Sequence, residues 1–455
     1  MSVVSRSLCL GLLVAPALAL AQTPPPPANP APPPPPAVEP PPPSEPAPAV
    51  DQDSVNDEDD TDKSDDTNAP VTYQARRGIS IHSGKTRLRF FLGAETVLLY
   101  GHCSGDNCEA SDLATLHVRR ARFAMEAKLK HHLSIDLALQ VKNEVIVLKN
   151  ANFSWKHHHL TLKAGFFKPP GGLERDTSTW VKPFPERSVV ANFKQDRIIG
   201  LMASKWVAGH TLRLQGAAGR PPTGNFDAFE PEDVVVPPES VEPEDLTTDP
   251  GNWDLFATAA YAPSDTFEIG VNTTAHIAPD AGQGPNFSEP YETRIIQPRF
   301  IKGAFLAGGL DVSWHSPHLR ASAEVVAFKS GDTIPHLDAM GNPLEPSRAE
   351  RGIAGYAVIG YTPNGAYGPA IENSPLLKGW QWITRGEFLS ASPGGIADPD
   401  ATAGFGSVTT GIEWQVEKQL RLQVDVAVQH YNEAVDPSNY NAWRVYSELW
   451  GQVLL

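Results

Sequence analysis

The strongest constraint on this chain is a pattern running from about residue 85 to the C-terminus: short segments in which apolar and polar residues alternate with a period of two. Successive side chains of a β-strand point to opposite faces, so such segments specify strands with one apolar and one wetted face. Leu420 to Gln429 is the clearest case. Leu420, Leu422, Val424, Val426 and Val428 share one face, and Arg421, Gln423, Asp425 and Gln429 share the other. In Leu319 to Ala327, Arg320, Ser322 and Glu324 alternate with Leu319, Ala321, Ala323, Val325 and Ala327. In Val408 to Val416, Ile412 and Trp414 oppose Glu413 and Gln415.

A soluble sandwich also alternates, with its apolar face turned inward. Two features favour a closed barrel in a membrane. Charges and amides recur on the polar face strand after strand, as a water-filled lumen requires. The connections also alternate between tight and long. Tight ones fall at 130–132, 156–159, 207–209, 262–265, 316–317 and 417–418. Long ones fall at 168–195, 220–251, 279–301, 330–350, 392–402 and 433–441. Sixteen strands are expected, at 86–100, 113–128, 133–142, 148–156, 160–167, 196–206, 210–219, 252–261, 266–278, 303–315, 318–329, 351–362, 379–391, 403–416, 419–432 and 442–455. The count is even, which leaves both ends on one side. A phase slip near Arg119-Arg120 predicts a β-bulge in the second strand. The expected fold is therefore all-β: an antiparallel transmembrane β-barrel of about 16 strands, spanning 76–455.

The N-terminal region reads differently. Arg6, the apolar run Leu8 to Leu20 and the small-x-small site Ala19-Leu20-Ala21 form an export signal over 1–21. Its apolar core is too short to span a membrane, and no other stretch reaches the roughly 18 to 20 residues a membrane helix needs. Cys9 lies in this run without a lipid-attachment context. Residues 22–75 form a disordered tether, proline-rich to residue 50 and acidic from 51 to 66, with no means of burying a core. A cell-wall partner for this tether is one possible role. Export favours a small disulfide loop between Cys103 and Cys108, with a metal pair as the weaker reading.

Residues 116–201 carry an ordered series of motifs: Arg119-Arg120-Ala121-Arg122, then Gly165-Phe166-Phe167-Lys168-Pro169-Pro170-Gly171-Gly172-Leu173-Glu174 with Thr177-Ser178, Glu186-Arg187-Ser188, and Asp196-Arg197-Ile198-Ile199-Gly200-Leu201. The series resembles the phosphate-selective porin O and P family of outer-membrane channels. Trp380-Gln381-Trp382, Arg385-Gly386-Glu387-Phe388 and Gly411-Ile412-Glu413-Trp414 extend the resemblance more weakly towards the C-terminus. The C-terminal Gln452-Val453-Leu454-Leu455 departs from the phenylalanine usual in such barrels, and the tether departs from the family's N-terminus. The resemblance implies a passive channel in the outer membrane of a Gram-negative-type bacterium, a homotrimer surrounded by outer-membrane lipid. It implies small anions such as phosphate as solutes, and a third external loop that folds inward and narrows the pore.

Charge is segregated along the chain. Residues 119–213 hold seventeen Lys and Arg against seven Asp and Glu, a net of +10, whereas 214–455 carry a net of −18 and the tether from 22 to 70 a net of −10. Arg120 and Arg122 lie two apart. Ala121, Phe123 and Met125 suit lipid, so the two arginines are expected to face the lumen. Arg119, Arg120 and Arg122, with Lys168, Arg175, Lys182, Arg187 and Lys194 in the 168–195 loop, are the candidate pore-lining and anion-binding residues. The guanidinium groups of the arginines among them suit oxyanions. The plainer alternative pairs them with carboxylates such as Glu126, Glu174, Asp176 and Glu186, stiffening the wall or loop.

The acidic 221–250 segment reads as a solvated loop. His157-His158-His159 sits in a tight turn without Cys or a set Asp or Glu partner, which suggests weak adventitious metal binding at most. Trp155, Trp206, Trp314 and Trp414 near strand ends read as an interfacial belt. No hydrolase elbow, phosphate-binding glycine loop or zinc-protease motif is present. No enzyme activity, cofactor, metal or nucleic acid is therefore expected. The rivals to an anion channel are a general or cation-preferring porin and a structural outer-membrane protein tethered to the cell wall.

Overall fold

The computed structural model describes residues 71–454, excepting 75–77, 85, 105–112, 143–144, 178–182, 185–186, 195–196, 221–251, 284–299, 331, 334–347, 364–366, 372–373, 378, 395–402, 417–419 and 432–442. Sixteen strands form one closed antiparallel barrel. They are β1 (Thr86–Ser104), β2 (Leu113–Lys128), β3 (Leu133–Lys142), β4 (Val145–His157), β5 (Leu160–Phe167), β6 (Ile198–Val207), β7 (Leu212–Arg220) and β8 (Trp253–Ser264), then β9 (Phe267–Gln283), β10 (Phe300–His315), β11 (Leu319–Lys329), β12 (Arg348–Tyr361), β13 (Gly379–Gly394), β14 (Ala403–Gln415), β15 (Leu420–Tyr431) and β16 (Trp443–Leu454). Each strand pairs with the next, and β16 closes on β1 from Leu454↔Gly93 to Trp443↔Ser104. Closure leaves no open edge in the hydrocarbon, where unpaired backbone groups would be costly.

The two faces are inverted relative to a soluble protein. Outside, Leu116 is 75% exposed, Leu201 66% and Ile412 55%. Inside, Glu324, Arg421, Asp425 and Gln452 are buried. An apolar belt of this extent is stable only against hydrocarbon, because water-exposed apolar patches rarely exceed a few hundred Å². On β15, Val424, Val426 and Val428 face out while Arg421, Gln423, Asp425 and Gln429 face in, as the alternation predicts. The expected bulge is also present: the β1–β2 register shifts between Glu95↔Arg120 and Thr96↔Val118, leaving Arg119 as the extra residue. Trp155, Trp314 and Trp414 follow the outward face. Trp206 does not, because it pairs across to Arg213 and lies under that guanidinium, 5.6 Å from the ring centroid.

One end of the barrel carries mostly tight turns and the other the longer connections. The 361–379 connection is long for its end and contains a small hairpin, Tyr367–Ile371 with Ser374–Leu377. The 142–145 turn is short for its end. Three further short strands join the sheet at its margins. Asp332–Thr333 pairs with β10. Val71–Gln74, within the stretch read as tether, pairs with Gly78–Ser83, which in turn pairs with Thr86–Phe90 of β1. The export signal, the tether up to residue 70, Cys108 and the 221–250 acidic segment lie outside the described residues, as does the side chain of Cys103. Among the described residues, no helix is long and apolar enough to cross a membrane.

Candidate functional site: the lumen and its inward loop

The connection after β5 turns into the barrel, and its sequence explains how. Pro169 and Pro170 supply no backbone donors and keep the chain extended as it leaves the strand. Gly172 follows with φ +86°, and a Cβ there would stand 2.3 Å from the Asn272 amide nitrogen and 2.5 Å from Glu324 Oε1. Only glycine tolerates both the conformation and the approach. A single helical turn, α1 (Leu173–Asp176), comes next, where Asp176 Oδ1 accepts from Gly171 N at 3.0 Å and Thr177 Oγ1 donates to Leu173 O at 2.8 Å.

Inward carboxylates of the far wall hold this loop in place. Glu324 on β11 accepts from Glu174 N at 2.9 Å and from the Lys194 ammonium, and Lys194 also donates to Gly171 O. Lys194 thereby ties the start and end of the loop to one buried point. Glu174 Oε1 accepts from Ser188 N at 2.8 Å, and the Glu174 carbonyl accepts from Arg187. On β13, Glu387 accepts from Val189 N at 2.7 Å and pairs with Arg385, which lies 4.8 Å from the Phe184 ring centroid. On β15, Gln423 Nε2 and Arg421 Nη2 donate to the Pro183 carbonyl at 3.0 and 3.3 Å.

An apolar layer reinforces these bonds. Phe184, Val189, Val190 and Phe193 cluster with Phe305, Val326, Phe328, Tyr356 and Ile383 of the wall, and Phe193 stacks on Phe328 at 4.1 Å. These wall residues face inward, where alternation alone predicts polar ones. The run Val325-Val326-Ala327-Phe328, apolar on both faces, was the sequence signal that something packs inside β11.

The wall formed by β1 to β5 carries the arginine motif. Arg120 and Arg122 face inward as expected, but their partners differ from those anticipated. Arg120 Nε lies 2.5 Å from Glu95 Oε2, with Arg119 Nη1 at 3.9 Å from the same oxygen and Gln452 donating to Glu95 Oε1 at 3.0 Å. Arg122 donates to Gln140 at 2.7 Å. Glu126 instead takes Arg89 at 3.1 Å and Arg87 at 3.8 Å. Sequence reasoning missed Arg87, Arg89 and Glu95. Their signal was the inward parity of 87, 89 and 95 on the first expected strand.

Of the loop candidates, Lys168 donates to Thr177 O at 3.4 Å. Lys194 and Arg187 serve loop anchoring as described above. Lys182 and the Arg175 side chain lie outside the described residues.

Residues 95–288 match a family model described as phosphate-selective porin O and P. The match is a similarity of this segment, which is less than half of the chain, to that family. It runs from within β1 to just past β9 and includes the arginine strand and the inward loop. Among solved structures, the barrel is similar to Salmonella typhi OmpF in complex with daunomycin. The TM-score is 0.53 at 9% identity, over 82% of this chain and 99% of that one. It is also similar to a loop L8 deletion mutant of OmpT, an outer membrane protein of Vibrio cholerae. Here the TM-score is 0.50 at 9% identity, over 82% of this chain and 100% of that one. At such identity the likeness is one of fold. No curated protein sequence matches the chain. The segment's similarity and the likeness of fold agree on a porin-type β-barrel.

Proposed function

We propose that the protein is a passive channel for small anions, with phosphate-like oxyanions as its preferred solutes. One observation carries this reading. The described loop residues lie against the inward faces of β9 to β15, so the remaining lumen is bordered by β16 and the wall from β1 to β5. There Arg87, Arg89, Arg119, Arg120, Arg122, Lys128 and Lys163 outnumber Glu95, Glu126, Asp136 and Glu448. Guanidinium groups can offer paired donors to an oxyanion. Their partial compensation by Glu95 and Glu126 suits permeation, which needs binding weak enough for release. No covalent step and no cofactor is required. Homology of the segment to porins supports a homotrimer in the outer membrane of a Gram-negative-type bacterium, with the longer loops outside and the tight turns in the periplasm.

A cation-preferring porin is the second reading, favoured by the acidic partners of the arginines and by the net −18 of residues 214–455. The reversal potential of purified channels in a planar bilayer under a KCl gradient separates the two. Anion preference is expected. A reversal potential of the opposite sign would overturn the proposal, and complete absence of conductance would favour a structural, wall-tethered protein.

A further inference from the structure

The pore reading leaves one cluster unused: the histidines of three neighbouring tight turns. These turns join β2 to β3, β4 to β5 and β6 to β7, all at the same end of the barrel. Sequence shows only the triplet His157-His158-His159, with no ligand-type residue beside it. The fold supplies them. His132 approaches His157 with ring centroids 5.9 Å apart, and His157 lies 4.1 Å from His158. On the other side of the triplet, His159 meets His210 edge-on at 4.2 Å. Trp155 stacks on His157 at 5.4 Å and supports it from the strand.

The backbone of these turns adds a second, independent observation. Among the described residues, five that are not glycine have positive φ: His131, His132, His158, Ala208 and His210. All five lie in these three turns. Glycine or asparagine fills such positions with less strain, and two-residue hairpins favour them strongly. Four imidazoles placed where the backbone disfavours them point to a use for the side chain rather than for the turn.

We propose that this histidine rim binds divalent transition-metal ions through pairs of imidazoles contributed by adjacent turns. One site uses His157 with His132 or His158, and the other uses His159 with His210. Two imidazoles on one ion, each with a metal–nitrogen bond near 2.0–2.1 Å, place their ring centroids about 5 Å apart. The observed separations of 4.1 to 5.9 Å bracket that value. Among the described residues, no three His, Cys, Asp or Glu side chains are already gathered as a metal site, so each site is a two-imidazole one, completed by water. The charged neighbours on these turns are Lys130, Lys156 and Lys205. They give an incoming cation no electrostatic attraction, so affinity rests on coordinate bonds. That selects Cu²⁺, Ni²⁺ and Zn²⁺ and excludes Ca²⁺ and Mg²⁺, which require oxygen ligands.

The test uses the full-length, untagged protein folded in detergent and stripped of metal. Cu²⁺ is titrated in while electron paramagnetic resonance reports nitrogen ligation, with Zn²⁺ as competitor and Ca²⁺ as control. The wild-type protein is expected to take up Cu²⁺ through imidazole nitrogen and to release it to a large excess of Zn²⁺, which binds such sites less tightly, but not to the same excess of Ca²⁺. His210→Gln should remove one class of site, and His157→Gln with His158→Gln the other, each weakening that class by about tenfold or more as two-point attachment is lost. His318→Gln, elsewhere on the same end, should change nothing. β-sheet circular dichroism and unaltered conductance verify that each variant is a folded barrel. Failure of the folded wild-type protein to take up Cu²⁺, or uptake unaffected in folded turn variants, would overturn the proposal.

Discussion

Glu324 shows how much of this lumen depends on single residues. Its carboxylate receives a backbone N–H from α1 and the ammonium of Lys194, with Asn272 at 3.3 Å, all out of contact with solvent. Removing one member of a buried ion pair typically costs about 3–5 kcal/mol, because the other charge is left uncompensated. Glu324→Ala should therefore release the loop from β11, and single-channel conductance should rise. Unchanged conductance in a folded variant would show that the loop does not depend on this bond. Arg120 has a different role. Arg120→Ala leaves Glu95 with only the more distant Arg119 and the neutral Gln452 amide, so the reversal potential should move towards cations. If selectivity stays fixed, Arg120 is not part of the filter. The inward aim of Arg120 and Arg122 was legible from parity alone, since lipid-facing arginine costs about 2–4 kcal/mol near the midplane. Glu324 was not distinguishable from the other polar residues on its strand. Its partners are 130 and 150 positions away in sequence, and no local pattern encodes such a contact.

At the scale of elements, the strands were legible because hydrocarbon on one side and water on the other impose a strict alternation. β2, β3 and β5 fall on their expected residues, whereas β9 and β10 run further than expected, to Gln283 and from Phe300. Alternation fades beyond the hydrocarbon although backbone pairing continues, so the ends are less visible than the middles. The inward loop was legible only through its resemblance to a family. Its docking surface was hidden by the expectation of a uniformly polar lumen, which Phe305, Phe328 and Tyr356 break. The two faces of β15 allow a direct check on the membrane assignment. Val426→Arg places a charge in lipid and should lower the folding free energy in bilayers by about 2–4 kcal/mol if residue 426 lies near the midplane. Gln429→Arg, on the lumen face, should cost much less. Equal costs in reversible denaturation from lipid vesicles would contradict the assigned orientation.

At the scale of the whole molecule, closure of the barrel is shared between the two ends of its sequence. Among the described residues, β16 pairs with β1 from Gly93 to Ser104, while Gly78–Ser83 covers the lower part of the same edge, Thr86 to Phe90. Ile79 and Ile81 of that short strand, with Val71 and Tyr73 beside them, are exposed and continue the outward apolar face. The N-terminal hairpin thus completes a seam that the C-terminal strand leaves unfinished. An exposed strand edge invites pairing with other chains, so its loss should appear in folding before it appears in conduction. Deleting residues 22–70 should leave thermal stability and conductance unchanged, because every pairing described for the barrel lies beyond that segment. Extending the deletion through Ser83 should lower refolding yield and increase aggregation, while the channels that do form keep their selectivity. If the longer deletion refolds as well as the shorter one, β16 alone suffices to close the seam, and the hairpin must be assigned another role.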